Sequence, residues 1–197
     1  MADTPALPRI LPVFPLTGTL LLPGNFLPLN IFEPRYRAMI EDALAEGGAP
    51  FIGMIQPLVP REDNRPPMDL AFEQERPELY RVGCAGRIGR SEAQADGRYL
   101  VLLRGVSRFR VVREEPDLVR GYRRVVADYS EFRDDPDELQ ATLDPSRLMA
   151  TLPGFSAAHG LTFDLDLLGS LPGVSLVNGL AAALPFLPAE KQALLEA

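Results

Sequence analysis

The chain has 197 residues, of which 46% are hydrophobic and 24% are charged, and these ordinary globular values exclude wholesale disorder. Acidic residues outnumber basic ones by 27 to 20, so the net charge of −7 argues against a general phosphate-binding surface. The single cysteine excludes an intramolecular disulfide and cannot by itself build a structural zinc site.

The N-terminal segment does not have the pattern of a secretory signal. MADTPALPR lacks a basic start, and proline repeatedly interrupts the apolar run that follows. No uninterrupted apolar stretch is long enough to cross a bilayer. We therefore expect a cytoplasmic protein with no membrane partner, and a single cysteine is consistent with a reducing compartment.

Residues 10–31 form an apolar run in which prolines recur. Proline lacks a backbone donor, so a long helix is excluded here and short, buried, extended segments are favoured. Pro23-Gly24-Asn25 supplies the turn between two such strands. The run Leu20-Leu21-Leu22 cannot point all its side chains to one side of a strand, so at least one should face away from the core.

A helix is predicted over about residues 34–46. Glu33 precedes Pro34, and proline is favoured at the first helical position because its missing amide would be unpaired there anyway. Gly47 and Gly48 then provide a stop signal. One predicted helical face carries the apolar residues Tyr36, Met39, Ile40, Ala43 and Leu44.

Strand patterns continue to about residue 130 and helical patterns follow. Strands are predicted over 50–56, 80–90, 98–104, 106–113 and 119–129, with a long polar loop over 57–78 and a turn at Asp96-Gly97. Helical stretches are predicted to begin at Asp135-Pro136 and Asp144-Pro145, to cover 176–184, and to begin again at Pro188. This order indicates an α+β fold, with a β-rich lobe over 1–130 and a helical lobe over 131–197.

Several motifs together resemble the N-terminal substrate-binding domain of the ATP-dependent Lon (La) proteases, a domain that also occurs in small stand-alone bacterial proteins. The matching stretches are Leu11-Pro12-Val13-Phe14-Pro15-Leu16, Leu22-Pro23-Gly24, Leu27-Pro28-Leu29, Ile31-Phe32-Glu33-Pro34-Arg35-Tyr36-Arg37, Val82-Gly83 to Ile88, Leu103-Arg104-Gly105-Val106, Arg108-Phe109-Arg110, Leu184-Pro185, Glu190-Lys191-Gln192 and Leu194-Leu195-Glu196. The resemblance implies one domain over 1–197, with a PUA-like β pseudobarrel and a small C-terminal helical lobe. It also implies structural roles for Pro23, Gly24, Glu33, Pro34, Gly105 and Arg108.

Full-length members of that family carry an ATPase module and a Ser-Lys proteolytic dyad, and this sequence shows the motif of neither. It has no G-x-x-x-x-G-K-[ST] phosphate loop, and Lys191 is its one lysine. We predict no catalytic residues, no metal site and no cofactor. An alternative is a small-molecule enzyme that uses Cys84 or His159, although a core cysteine and a helix-end histidine explain both residues.

A second alternative is RNA binding, since PUA-like folds include RNA-binding members. The sequence carries a basic group comprising Arg104, Arg108, Arg110, Arg113, Arg120, Arg123 and Arg124. Neighbouring acidic residues, the net acidity and the lack of an aromatic stacking set favour salt-bridged strand faces instead. Nucleic acid is therefore a disfavoured partner.

The preferred hypothesis is a non-catalytic module, or adaptor, that binds exposed apolar or unfolded polypeptide segments and has a protease as a candidate partner. Affinity would come from burial of apolar surface in a cleft between the two lobes. The candidate peptide-binding residues are Leu21, Leu22, Phe26, Phe32 and Tyr36.

Overall fold

A computed structural model describes residues 6–58, 76–116, 119–135 and 143–197. The strands are β1 Ile10–Pro15, β2 Phe26–Ile31, β3 Phe51–Ile55, β4 Val82–Ala93, β5 Tyr99–Glu114 and β6 Arg123–Asp128. The helices are α1 Pro34–Leu44, α2 Ser146–His159, α3 Leu165–Gly169, α4 Gly173–Ala183 and α5 Pro188–Glu196, with a short 3-10 helix at Ser130–Phe132. Most strands come before most helices along the sequence, so this is an α+β fold, as predicted.

The sheet closes on itself. Its strand order is β2-β5-β4-β3-β1-β6, and β5 also pairs with β6, which joins the two ends of the β5-β4-β3-β1-β6 series into a barrel. Closure is possible because β5 is long. Its first half pairs with β2 and its end pairs with β6, while β4 pairs with it from Tyr99 to Arg110. Among the strand pairs of the described residues, β1 and β3 are the parallel pair and the others are antiparallel. Strand β2 pairs with β5 alone among the described strands and therefore forms an edge.

Glycines on two strands make room for a phenylalanine inside the barrel. A Cβ atom on Gly53 would lie 3.0 Å from the Phe109 ring, and one on Gly83 would lie 2.6 Å from it. Phe109 itself is fully buried. The rest of this interior is aliphatic and aromatic: Leu11, Val13, Phe51, Ile55, Ala85, Val111, Val125 and Ala127.

A second core lies on the other side of the sheet and joins the two parts of the chain. Helix α1 contributes Tyr36, Met39 and Ile40 to it, while Ala181 of α4 and Leu195 of α5 enter the same cluster. Buried amides reinforce this junction, because Gln56 Nε2 donates to the carbonyl oxygen of Pro188 at 3.0 Å. The junction between sheet and C-terminal helices is therefore packed core.

The C-terminal helices also have a small core of their own. Its buried members are Leu152, Leu176, Leu180 and Leu184, with partly buried neighbours such as Phe155 and Phe186. Asp164, one of two aspartates separated by one residue, caps α3 by accepting a hydrogen bond from Leu167 N at 3.0 Å. Its carboxylate thus satisfies a backbone donor at the start of the helix.

Strand boundaries differ from the prediction at two places. The predicted strands 98–104 and 106–113 are one continuous strand, because Gly105 stays in the ladder opposite Gly86. The predicted strand 119–129 begins at Arg123, since Arg120 and Gly121 adopt positive φ angles of 48° and 92° in a tight turn before it.

Helix α1 ends before its predicted glycine stop. Its last residue is Leu44, and Ala45 leaves it in an extended conformation, two residues ahead of Gly47. Leu44 is 42% exposed although its spacing predicted a buried position, whereas its neighbour Ala43 is buried in the core. Most of the predicted loop 57–78 and most of the helical stretch predicted from Asp135-Pro136 lie outside the described residues.

Candidate functional site

The Pro23-Gly24 turn docks backbone to backbone on β5. Gly24 N donates to the carbonyl oxygen of Gly105, and Gly105 N donates to that of Asn25, each at 2.9 Å. A Cβ atom on Gly105 would overlap with the carbonyl oxygen of Leu22, and Gly24 has a φ of 80°. Glycine is therefore required at both positions. This contact gives Gly24 and Gly105 a structural role.

The Glu33-Pro34 motif starts α1 through its backbone. The carbonyl oxygen of Glu33 accepts hydrogen bonds from Tyr36 N and Arg37 N at 3.1 and 2.9 Å. The Glu33 side chain makes no capping bond; it pairs with Arg35, whose Nη2 lies 2.8 Å from Oε2. The Glu33 carboxylate is thus held in a local ion pair, and Pro34 occupies the first helical position.

Arg108 ties the middle of β5 to the segment that leads into the helices. Its Nη2 and Nε donate to Asp135 Oδ1 at 2.8 and 3.0 Å, and its backbone N donates to Oδ2 at 2.7 Å. The guanidinium also lies 4.9 Å from the ring centre of Phe132 and within 3.4 Å of the carbonyl oxygen of Leu195. Because the Asp135 side chain is only 1% exposed, this is a buried ion pair with satisfied donors.

Three of the predicted peptide-binding residues lie in the core. Leu21, Leu22 and Tyr36 are 2%, 8% and 6% exposed and belong to the cluster that packs the sheet against α1, α4 and α5. They offer almost no accessible surface in this structure, which disfavours them as peptide contacts, and their assignment stays a prediction. Leu20 is buried with them, since residues 20–22 form irregular backbone rather than a strand and all three side chains reach the core.

The other two candidates are on the open surface. Phe26 and Phe32 are each 63% exposed, so neither lines an enclosed cleft between the lobes. Phe26 begins β2, where exposed and buried residues alternate: Leu29 and Ile31 face the core while Pro28 and Asn30 face solvent. Phe32 directly follows the strand and, like Pro28 and Asn30, is exposed to solvent.

Strand β5 extends this apolar surface. Leu102 lies opposite Pro28, and Leu100, which is 47% exposed, lies opposite Asn30. We call this surface the β2–β5 face; its members are Phe26, Pro28, Phe32, Leu100 and Leu102. The sequence-based candidates missed Pro28, Leu100 and Leu102, although the alternation F-x-P-x-N-x-F and L-x-L-x-R over residues 26–32 and 100–104 carries the signal.

The residues of the enzyme alternative are not arranged for catalysis. Cys84 is fully buried in the core between sheet and helices, and burial raises the pKa of its thiol, with Asp135 adding to the effect. His159 lies on the surface at the end of α2, stacked on Phe155 with ring centres 4.2 Å apart. Within the described residues, no group of three His, Cys, Asp or Glu side chains could hold a metal ion.

Most of the arginines of the RNA alternative are neutralised within the chain. Arg108 is held by Asp135, Arg110 by Glu131, Arg113 by Glu115, Arg120 by Glu41 and Asp42, and Arg123 by Glu114. Arg104, which is exposed, and Arg124, which is half-buried, differ because neither forms an ion pair with a described residue. The cluster is therefore mainly a set of salt-bridged strand faces.

A shallow groove lies at the opposite end of β5. It has a volume of about 520 Å³ and is lined by Leu7, Arg9, Val112 and residues 126–130. No helix among the described residues is both long and apolar enough to cross a membrane.

Comparison with known proteins agrees with the architecture. Residues 10–197 match the family model described as the ATP-dependent protease La (LON) substrate-binding domain. Over 149 residues the chain is 32% identical to a Lon protease of Flavobacterium johnsoniae, an alignment that covers 73% of this chain and 16% of that protein. The chain thus spans about a sixth of the length of that curated relative.

Two solved structures share the fold. A Lon N-terminal domain protein from Xanthomonas campestris superposes with a TM-score of 0.59 at 26% identity, covering 95% of this chain and 90% of that one. The N-terminal domain of a Mycobacterium avium complex Lon protease gives 0.54 at 20% identity, covering 96% and 90%. Because the family model matches residues 10–197, nearly the whole sequence, the chain belongs to the Lon substrate-binding domain family.

Proposed function

We propose that this protein is a non-catalytic module that binds exposed apolar or unfolded polypeptide segments on the β2–β5 face. The observation that carries the proposal is the pair of phenylalanines, each 63% exposed, on and just after an edge strand. Isolated apolar side chains are normal on a surface, but a contiguous set of aromatic, proline and leucine side chains marks an interaction site. Family membership supports a polypeptide as the ligand.

The edge of β2 suits an extended ligand. Its outer side has no strand partner among the described residues, so backbone groups there are available to a segment in β conformation. Pro28 limits this pairing because it has no N–H, and it lies in the middle of the strand. We expect side-chain burial on the face to supply most of the affinity, and the complex to be weak and broad in specificity.

The finer part of the proposal is an adaptor role in the cytoplasm, with a protease as partner. It rests on the substrate-binding domain family and on a single, buried, unpaired cysteine, which suits a reducing compartment. The chain would hold a client segment and leave cleavage to the partner.

Binding is tested with a fluorescein-labelled, uncharged apolar peptide followed by anisotropy. We expect a Kd in the micromolar range, which is about −8 kcal/mol. Covering one exposed ring is worth roughly 1–2 kcal/mol, so Phe26→Ser should weaken binding by a factor of about 5–30. Phe32→Ser should act in the same direction.

The control is Leu167→Ser on α3, since Leu167 is 60% exposed and lies outside the β2–β5 face. It should leave the Kd unchanged. All three variants should keep the wild-type melting temperature, because each removed side chain is on the surface. Equal affinity of wild type and a Phe26→Ser/Phe32→Ser double variant would contradict the proposal.

A further inference from the structure

The strand register places two arginines beside the exposed Phe26. Phe26 on β2 lies opposite Arg104 on β5, and Arg104 lies opposite Arg87 on β4. All three side chains are exposed and belong to one row across the sheet, at the end of the β2–β5 face. These residues form a strip with one aromatic and two cationic side chains, which we call the strip: Phe26, Arg104 and Arg87. They are far apart in the sequence, so the sequence alone does not indicate it.

Neither arginine of the strip forms an ion pair with a described residue. Other arginines of the same strands do: Arg110 Nε lies 2.6 Å from Glu131, and Arg113 Nη1 lies 2.7 Å from Glu115. Even the next row along the face is partly neutralised, because Arg90 Nη2 lies 3.7 Å from Glu92. In a chain with a net charge of −7, the strip places two exposed cations in facing positions, with no ion pair to a described residue.

Facing arginines on neighbouring strands repel each other. Directly opposed residues have Cβ atoms about 4.5–5.5 Å apart, and like charges at that spacing destabilise a sheet. An anion held between the two guanidinium groups would remove the repulsion and satisfy their donors. A carboxylate fits this position, because each guanidinium can donate two parallel hydrogen bonds to it.

We propose that Arg87 and Arg104 form a carboxylate site that selects apolar polypeptide segments carrying an acidic residue next to the side chain that covers Phe26. This inference rests on the proposed polypeptide-binding function and names the class of segment it prefers. The occupant is an unfolded stretch in which Asp or Glu is adjacent to aromatic or aliphatic residues. Charge complementarity with the strip is the argument for this choice.

The test uses three labelled peptides that share the same apolar core. They differ only in the two residues at one end, which are both Asp, both Asn or both Lys. We expect the Asp peptide to bind about 5- to 10-fold more tightly than the Asn peptide, as for a charge-assisted pair that is partly exposed. The Lys peptide should bind less tightly than the Asn peptide. Raised salt should reduce the Asp preference and leave binding of the Asn peptide nearly constant.

The Arg87→Gln/Arg104→Gln variant should lose the Asp preference and keep its affinity for the Asn peptide. Arg9→Gln/Arg81→Gln is the matched control, because it removes the same charge at two exposed positions that lie outside the strip. It should keep the full preference. Loss of the preference in this control would attribute the effect to net charge and overturn the inference.

The outcomes separate the two proposals. No binding of any peptide, including the Asn peptide, would refute the polypeptide-binding function itself. Binding of the Asn peptide with no gain for the Asp peptide would refute the carboxylate site alone. Tight binding of a single-stranded RNA oligonucleotide that depends on Arg87 and Arg104, with no Asp preference, would overturn the inference in favour of a phosphate ligand.

Discussion

Replacing Gly105 with alanine should destabilise the protein although it adds a single methyl group. The new Cβ would overlap with the carbonyl oxygen of Leu22 and lie 2.8 Å from its carbonyl carbon. Both atoms belong to the backbone, so no rotamer change can relieve the contact. The Pro23-Gly24 turn must move away from β5.

The expected cost follows from what the turn loses. Moving it breaks or stretches the two hydrogen bonds of 2.9 Å that join Gly105 to Gly24 and Asn25. Each is worth about 0.5–1.5 kcal/mol net, and overpacking at a tight contact adds about 1–3 kcal/mol. We expect a loss of roughly 2–6 kcal/mol in the free energy of unfolding, or roughly 4–24 °C in Tm for a chain of this size.

Urea and thermal unfolding followed by circular dichroism measure this loss. Gly154→Ala is the control, because Gly154 lies in α2 and a Cβ there would meet nothing within 4 Å. Alanine at this helical position should be neutral or stabilise by up to about 1 kcal/mol. A Gly105→Ala variant as stable as Gly154→Ala would refute the docking of the turn on β5.

Three further predictions concern buried groups. Asp135→Ala removes the carboxylate that holds Arg108 and should lower the free energy of unfolding in urea by about 3–5 kcal/mol. Glu131→Ala, at an exposed ion pair, should lower it little. Similar losses in the two variants would contradict the assignment of a buried pair. Burial and a hydrogen bond to the Asp42 carboxylate raise the pKa of Tyr122 to about 12. Protonated Tyr122 therefore stabilises the fold fully below pH 10, and this contribution is lost between pH 10 and 12. The free energy of unfolding of Tyr122→Phe should fall less steeply over that range than that of wild type, and an equal fall would argue against this assignment. Cys84 should react with a thiol reagent only when urea unfolds the protein, and rapid labelling of the native state would show that the thiol is accessible.

Patterns within single segments were enough to predict several elements. Proline at the first helical position set the start of α1, and the apolar spacing identified Tyr36, Met39 and Ile40 as its core side. The strand over 50–56 was predicted almost to its boundaries, since β3 spans Phe51–Ile55. Local chemistry determines these features because proline geometry and side-chain periodicity act over a few residues.

Predictions that depended on partners from elsewhere in the chain were less successful. Gly105 looked like a break between two strands, but the β4–β5 ladder, in which it lies opposite Gly86, keeps it in one strand. Leu21 and Leu22 were candidates for a binding surface, but both are buried in a core cluster that also contains Ala181 and Leu195. In both cases the deciding contacts come from residues distant in sequence.

The sequence alone therefore determined the family, the succession from a strand-rich part to a helical part, and the apolar character of residues 10–44. Tertiary structure decided which of those apolar side chains remain exposed, leaving Phe26 and Phe32 on the surface. It also brought Arg87 opposite Arg104, a register that β-bulges in β4 help to set. The physical reason is that periodicity fixes which side chains share a face, whereas the pairing of distant strands and the packing of helices decide which face is covered.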